Sequence, residues 1–84
     1  MIKNELRILG VLIKDRITGT EEMQSVFSKY GNIIKTRLGL NEDVVETGRV
    51  GLIMLELTGD TQQMSKLENE LLSIEGVDVQ KMIF

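Results

Sequence analysis

The residues of this 84-residue chain that could do chemistry gather in one short run, Asp15-Arg16-Ile17-Thr18-Gly19-Thr20. Arg16 offers a forked guanidinium suited to a carboxylate or phosphate, and Asp15 can accept from an amine. Gly19 lets the backbone approach a ligand closely or adopt positive φ. A helix starting here would add unpaired N–H groups and a partial positive charge. Asp15, Arg16, Thr18, Gly19 and Thr20 therefore form a candidate ligand-binding set lying against a neighbouring subunit. The same residues have a plainer reading, with Asp15 and Arg16 solvated and Thr18 and Gly19 only capping the helix. Both readings stand on the sequence alone.

Little else offers reactivity. The chain has no histidine and no cysteine, which removes the usual general base, the thiol nucleophile and the usual zinc ligands. No metal site and no cofactor are expected, and nothing resembles a calcium-binding D-x-D-x-D-G loop. Ser25, Ser28, Ser65 and Ser73 fall in helical segments as polar-face residues. The carboxylates Glu21-Glu22 and Asp43 with Glu46 read as helix-dipole partners and a solvated loop. Methionines 23 and 64 occupy core positions, where gap-filling is the usual role of this side chain.

Acidic residues outnumber basic ones 13 to 10, which disfavours a general phosphate-backbone binder. The apolar runs Leu9–Ile13 and Gly51–Leu55 fall far short of the ~20 residues that span a bilayer. The start, Met1-Ile2-Lys3-Asn4-Glu5, lacks a secretory apolar core, so a cytoplasmic location is expected. A chain this short reads as one domain, 1–84, whose core buries only roughly 60–65% of the unfolded surface. Without disulfides or zinc, oligomerisation is the remaining staple.

Hydrophobic period orders the elements. Leu6–Ile13 reads as a strand. Thr18 with Glu21 offers a capping box, and Met23, Val26, Phe27 and Tyr30 then mark one face of a helix. Gly31 stands where a C-terminal cap tolerates positive φ. Ile34, Thr36, Leu38 and Leu40 alternate with Lys35, Arg37 and Gly39, a strand with one buried face. Asn41–Gly48 is a polar connection, and Arg49–Thr58 a second apolar strand. Asp60 with Gln63 can cap a helix whose buried face is Met64, Leu67, Leu71 and Ile74. Gly76 ends it, and Val77–Phe84 alternates as a last strand.

The halves echo each other. Gly10-Val11-Leu12-Ile13 precedes Gly51-Leu52-Ile53-Met54 by 41 residues, and Met23 precedes Met64 by the same interval. Tandem strand–helix–strand units give an α+β, ferredoxin-like βαββαβ sandwich, a four-stranded antiparallel sheet with two helices on one face. Strands one and three, apolar on both faces, suit its centre. Their uncovered face would expose an aliphatic stripe, so Leu12, Leu52 and Met54 are the expected oligomer interface. Direct nucleic-acid binding is not expected, because no aromatic lies on the central strands to stack a base. Acylphosphatases share this topology and hold phosphate with an arginine after strand one, but their V-Q-G-V run is missing. That enzyme reading ranks third.

Several segments carry a family resemblance. Ile13-Lys14-Asp15-Arg16, Tyr30-Gly31-Asn32-Ile33-Ile34-Lys35-Thr36-Arg37-Leu38-Gly39 and Gly76-Val77-Asp78-Val79 resemble the iron-only hydrogenase system regulators. These are stand-alone ACT-like domains similar to the ligand-binding domain of nickel-responsive repressors. The family commonly shows Y-G-x-I-I-x-G-R-M-G-I-P; here Thr36, Leu38 and Asn41 depart from it, and Asn69 and Leu72 replace small residues. The resemblance implies a regulatory, ligand-binding ACT-like domain. Nickel is not carried over, because those ligands are His and Cys, nor is DNA binding, because no DNA-binding segment precedes the domain. The expectation is therefore a non-enzymatic regulator acting as a homo-oligomer, dimer or tetramer, with an amino acid-like effector and no membrane contact. A ligand-free assembly subunit is the alternative.

Overall fold

The computed structural model describes residues 5–14, 16–40 and 51–84, and of residues 16–20 the helical backbone alone. The expected connection Asn41–Gly48, together with Arg49 and Val50, lies outside the described residues. Six elements follow in order: β1 (Arg7–Ile13), α1 (Arg16–Lys29), β2 (Ile34–Leu40), β3 (Gly51–Leu57), α2 (Thr61–Leu72) and β4 (Val77–Ile83). They form the expected βαββαβ sandwich. The strand order is β2-β3-β1-β4 and every neighbouring pair is antiparallel. The two strands apolar on both faces, β1 and β3, are the central ones.

Parity builds the core, since alternate residues of a strand face opposite sides. Leu9, Val11 and Ile13 of β1, Leu55 and Leu57 of β3, and Val77 and Val79 of β4 are buried beneath the helices. Against them pack Met23, Phe27 and Tyr30 of the first helical segment and Met64, Leu67 and Leu71 of α2. The helical faces are those that the spacing indicates. Asp60 caps α2, its carboxylate accepting from the Gln62 amide at 2.9 Å, and Ile74 is buried just past the helix end. Gly76 then takes φ 84°, a left-handed conformation that glycine adopts without penalty. Its carbonyl accepts from the Lys14 amide at 2.6 Å, tying the turn after α2 to the end of β1.

Several local expectations need correction. Helix α1 begins at Arg16, two residues before the expected Thr18 cap, because β1 runs to Ile13 and leaves only two residues for the turn. Gly31 does not take positive φ. Its amide donates to the Ser28 carbonyl at 3.3 Å and the Ile33 amide to the Tyr30 carbonyl at 3.0 Å, a tight turn needing no left-handed residue. Gly59, which the sequence did not mark, takes φ 98° instead. The 41-residue echo is also out of register. Strand β1 starts at Arg7 and β3 at Gly51, an offset of 44, so the odd offset pairs a helix-facing residue with an outward one.

Strand β2 departs most. A register shift between Ile34 and Thr36 puts Ile34 opposite Leu57 on the helix side, while Thr36, Leu38 and Leu40 fall on the other side. The face expected to be buried is therefore exposed from Thr36 onward. Arg7 is a further surprise, a charged residue only 7% exposed on the helix side of β1. Glu5 Oε2 accepts from its Nε at 2.7 Å and lies 2.6 Å from Nη2. Removing one partner of such a buried pair is strongly destabilising, because the other charge stays behind.

Truncating Leu67, fully buried, to alanine should cost about 2–5 kcal/mol in denaturant unfolding. Asp60→Ala should cost about 0.5–2 kcal/mol through the lost cap. Equal costs at Leu67 and at exposed Leu72 would contradict this core.

Candidate functional site

Residues directly opposite in an antiparallel pair share a face, so the strand registers map the side of the sheet that carries no helix. Three rows cross it in the order β2-β3-β1-β4. They are Leu40-Leu52-Leu12-Asp78, Leu38-Met54-Gly10-Gln80 and Thr36-Glu56-Ile8-Met82. Seven of these twelve positions are Leu, Ile or Met, so the face is a continuous aliphatic sheet with polar residues at two opposite corners. Leu12, Leu52 and Met54 come together here as neighbours, each half-buried. Met54 leans over Gly10, where an added Cβ would lie 3.6 Å from Met54 Sδ.

The sequence missed part of this surface. Leu38 is 55% exposed, Leu40 37% and Met82 47%, so the stripe extends across all four strands and not only the central pair. The signal that Leu38 and Leu40 belong here was masked by the bulge, which no local pattern announces. At the Thr36 corner, the Thr36 hydroxyl donates to Glu56 Oε1 at 2.9 Å. Lys35, the extra residue the bulge admits, lines a shallow cleft with Glu5, Leu6, Glu56, Leu57 and Thr58.

Of the predicted ligand set, Asp15 lies outside the described residues. Arg16, Thr18, Gly19 and Thr20 belong to the opening turns of α1, with side chains outside the described residues. Another cleft lies between α1 and β2, lined by Phe27, Ser28, Gly31, Ile34 and Arg37. Its arginine is engaged: the guanidinium stacks 4.7 Å from the Phe27 ring centroid and Nη2 donates to Gln24 Oε1 at 3.0 Å. Among the described residues, no three His, Cys, Asp or Glu side chains cluster to hold a metal ion.

One ionisable cluster joins the helices. The Tyr30 hydroxyl donates to Glu70 Oε2, and Lys29 Nζ reaches the same carboxylate at 3.0 and 3.3 Å. The Tyr30 hydrogen bond, and then that of Lys29, holds the Glu70 carboxyl below its ordinary value. The Glu70 partner likewise raises Lys29, and it raises Tyr30 together with burial. A depressed carboxyl stabilises above its unfolded value, and that contribution is lost as pH falls through the folded one. The raised tyrosine and lysine stabilise below their unfolded values and lose that contribution only in strong alkali. Thermal melts should therefore show Glu70→Gln flattening the acid limb below about pH 4, with little change in slope near neutrality. An unchanged acid limb would remove this cluster from the pH dependence.

The sequence profile of the TM1266-like family, whose description reads "iron-only hydrogenase system regulator, putative", matches residues 5–81. Among solved structures, the uncharacterized protein TM1266 from Thermotoga maritima superposes with a TM-score of 0.83 at 23% identity, covering 98% of this chain and 99% of that one. The ACT domain from GTP pyrophosphokinase of Chlorobium tepidum superposes at 0.69 with 20% identity, covering 95% and 100%. CPII, a nitrogen regulatory PII-like protein from Thiomonas intermedia K12 bound to ADP, AMP and bicarbonate, superposes at 0.52 with 16% identity over 98% and 96%. At these identities the likeness is one of fold, and the fold is ACT-like. A comparison with curated proteins finds no match. Among the described residues, no helix is long and apolar enough to cross a membrane.

Proposed function

The chain belongs to the TM1266-like family of iron-only hydrogenase system regulators, and from that premise we propose a cytoplasmic, non-enzymatic regulatory module that works as a homo-oligomer through the helix-free face of its sheet. The supporting observation is the aliphatic surface of Leu12, Leu38, Leu40, Leu52 and Met54. Patches of this kind mark interaction sites on soluble domains. Their aliphatic character suits a protein surface, since Leu and Met cannot stack a base.

The second part of the reading is a small effector beside Asp15, Arg16, Thr18, Gly19 and Thr20, against a neighbouring subunit. The residue types support it, together with a helix that starts at Arg16. An amino acid-like zwitterion fits the paired charges of Asp15 and Arg16. A ligand-free assembly subunit using the same face is the alternative, and effector binding separates the two.

Light scattering and native mass spectrometry at micromolar concentration should report a dimer or tetramer of the 9.5 kDa chain. Leu52→Asp or Met54→Asp should shift it toward monomer. A wild-type protein that remains monomeric sinks the oligomer reading. In a thermal-shift screen of amino acids, nucleotides and organic acids, a ligand at 100 times its dissociation constant adds about 2.7 kcal/mol. Each kcal/mol raises Tm by roughly 4–8 °C in a domain this size. The shift should vanish in Gly19→Val and Arg16→Ala. If no compound shifts Tm, the ligand-free scaffold replaces the sensor.

A further inference from the structure

The helix-free face carries one ionic corner, and its composition identifies what can cover it. Glu56 lies on central strand β3 between Ile8 and Thr36, in line with Met54 and Leu52 on its own strand. Any protein surface that covers Met54 and Leu52 comes within one residue pair of Glu56 and strips water from it. A carboxylate desolvated without a partner opposes association. The Thr36 hydroxyl satisfies Oε1 at 2.9 Å, and among the described residues Oε2 remains to accept from a further donor.

A suitable cation stands beside it on the same chain. The bulge between Ile34 and Thr36 inserts Lys35, an exposed residue that lines the cleft with Glu56. The two do not pair with each other, whereas Lys29–Glu70 and Lys81–Glu68 close at 3.0 and 3.1 Å. The other charge in that cleft, Glu5, is held by Arg7 at 2.6 Å. A surface patch with an acid and a base side by side is self-complementary under a two-fold axis, where each contact occurs twice.

We infer that the occupant of this face is a second copy of the chain, set in register by reciprocal ion pairs between Glu56 and Lys35 of the partner subunit, about a two-fold axis passing beside the Thr36 corner. The inference rests on the proposal that the sheet face is the contact surface between copies, and adds the ion pairs that set their register. It also gives the bulge a purpose. Without the extra residue, Ile34 and Thr36 would keep their partners Leu57 and Glu56, but the corner would carry no cation.

The experiment is a charge swap read by sedimentation equilibrium and native mass spectrometry, with circular dichroism to confirm folding. Lys35→Glu and Glu56→Lys should each weaken self-association by about tenfold or more, because two pairs change from attraction to repulsion at once. The double variant should recover to within about threefold of the parent chain. Lys35→Gln and Glu56→Gln, milder changes that spare the fold, should each weaken it by about threefold, and the parent's association should fall as salt rises. Single variants that leave association unchanged, or a double variant no better than the singles, overturn the pairing. The control Leu52→Asp separates the two levels. If it dissociates the assembly while the swaps do nothing, only the register is wrong. If it too is silent, the face itself is not the interface.

Discussion

Two helices cannot cover both sides of a four-stranded sheet, and most of this molecule follows from that limit. Each half of the chain is a strand–helix–strand unit, and both helices lie against the same side of the sheet. Every strand residue is thereby sorted by parity into one that packs beneath a helix or one that faces outward. Odd-numbered residues of β1 and β3, from Leu9 to Ile13 and from Leu55 to Leu57, go inward. Their even-numbered neighbours Ile8, Leu12, Leu52 and Met54 are as apolar but lie on the side that carries no helix among the described residues.

The covered side is closed by aliphatic packing and carries a few ionic ties. Glu5 secures buried Arg7 beside α2, Lys81 of β4 reaches Glu68 of α2 at 3.1 Å, and Tyr30 with Lys29 grips Glu70 between the helices. The exposed ties contribute little individually. The Arg7 pair differs, because breaking it strands a buried charge. The helices are seated on the sheet chiefly by the aliphatic packing of the core.

The open face is the physical basis of a regulatory reading. It presents an aliphatic surface that a protein partner can dehydrate. The open face and the turn before α1 share strand β1, whose far end is tied by the Lys14 amide to the Gly76 carbonyl. An effector bound near that turn would act on the same strand whose outward residues meet a partner.

Hydrophobic period alone determined the element order, the central places of β1 and β3, the buried faces of both helices and the grouping of Leu12, Leu52 and Met54 on one sheet face. Those features depend on residues near in sequence, whose spacing matches the helix or strand repeat whatever the rest of the chain does. The helix start at Arg16 was legible only to within a turn, since local capping signals compete with the length of the connection. Tertiary structure decided what depends on pairing between distant strands. The bulge at Ile34–Thr36 reversed the face of Leu38 and Leu40, and the strand offset of 44 displaced the apparent 41-residue repeat. Arg7 lies buried where α2 passes over it, its Nη1 donating to Ser65 Oγ at 3.4 Å, and Glu56 met Thr36 because β2 slipped by one residue. A single-residue slip in register turns a strand over, and register is set by the strand alongside, which the strand's own sequence does not contain.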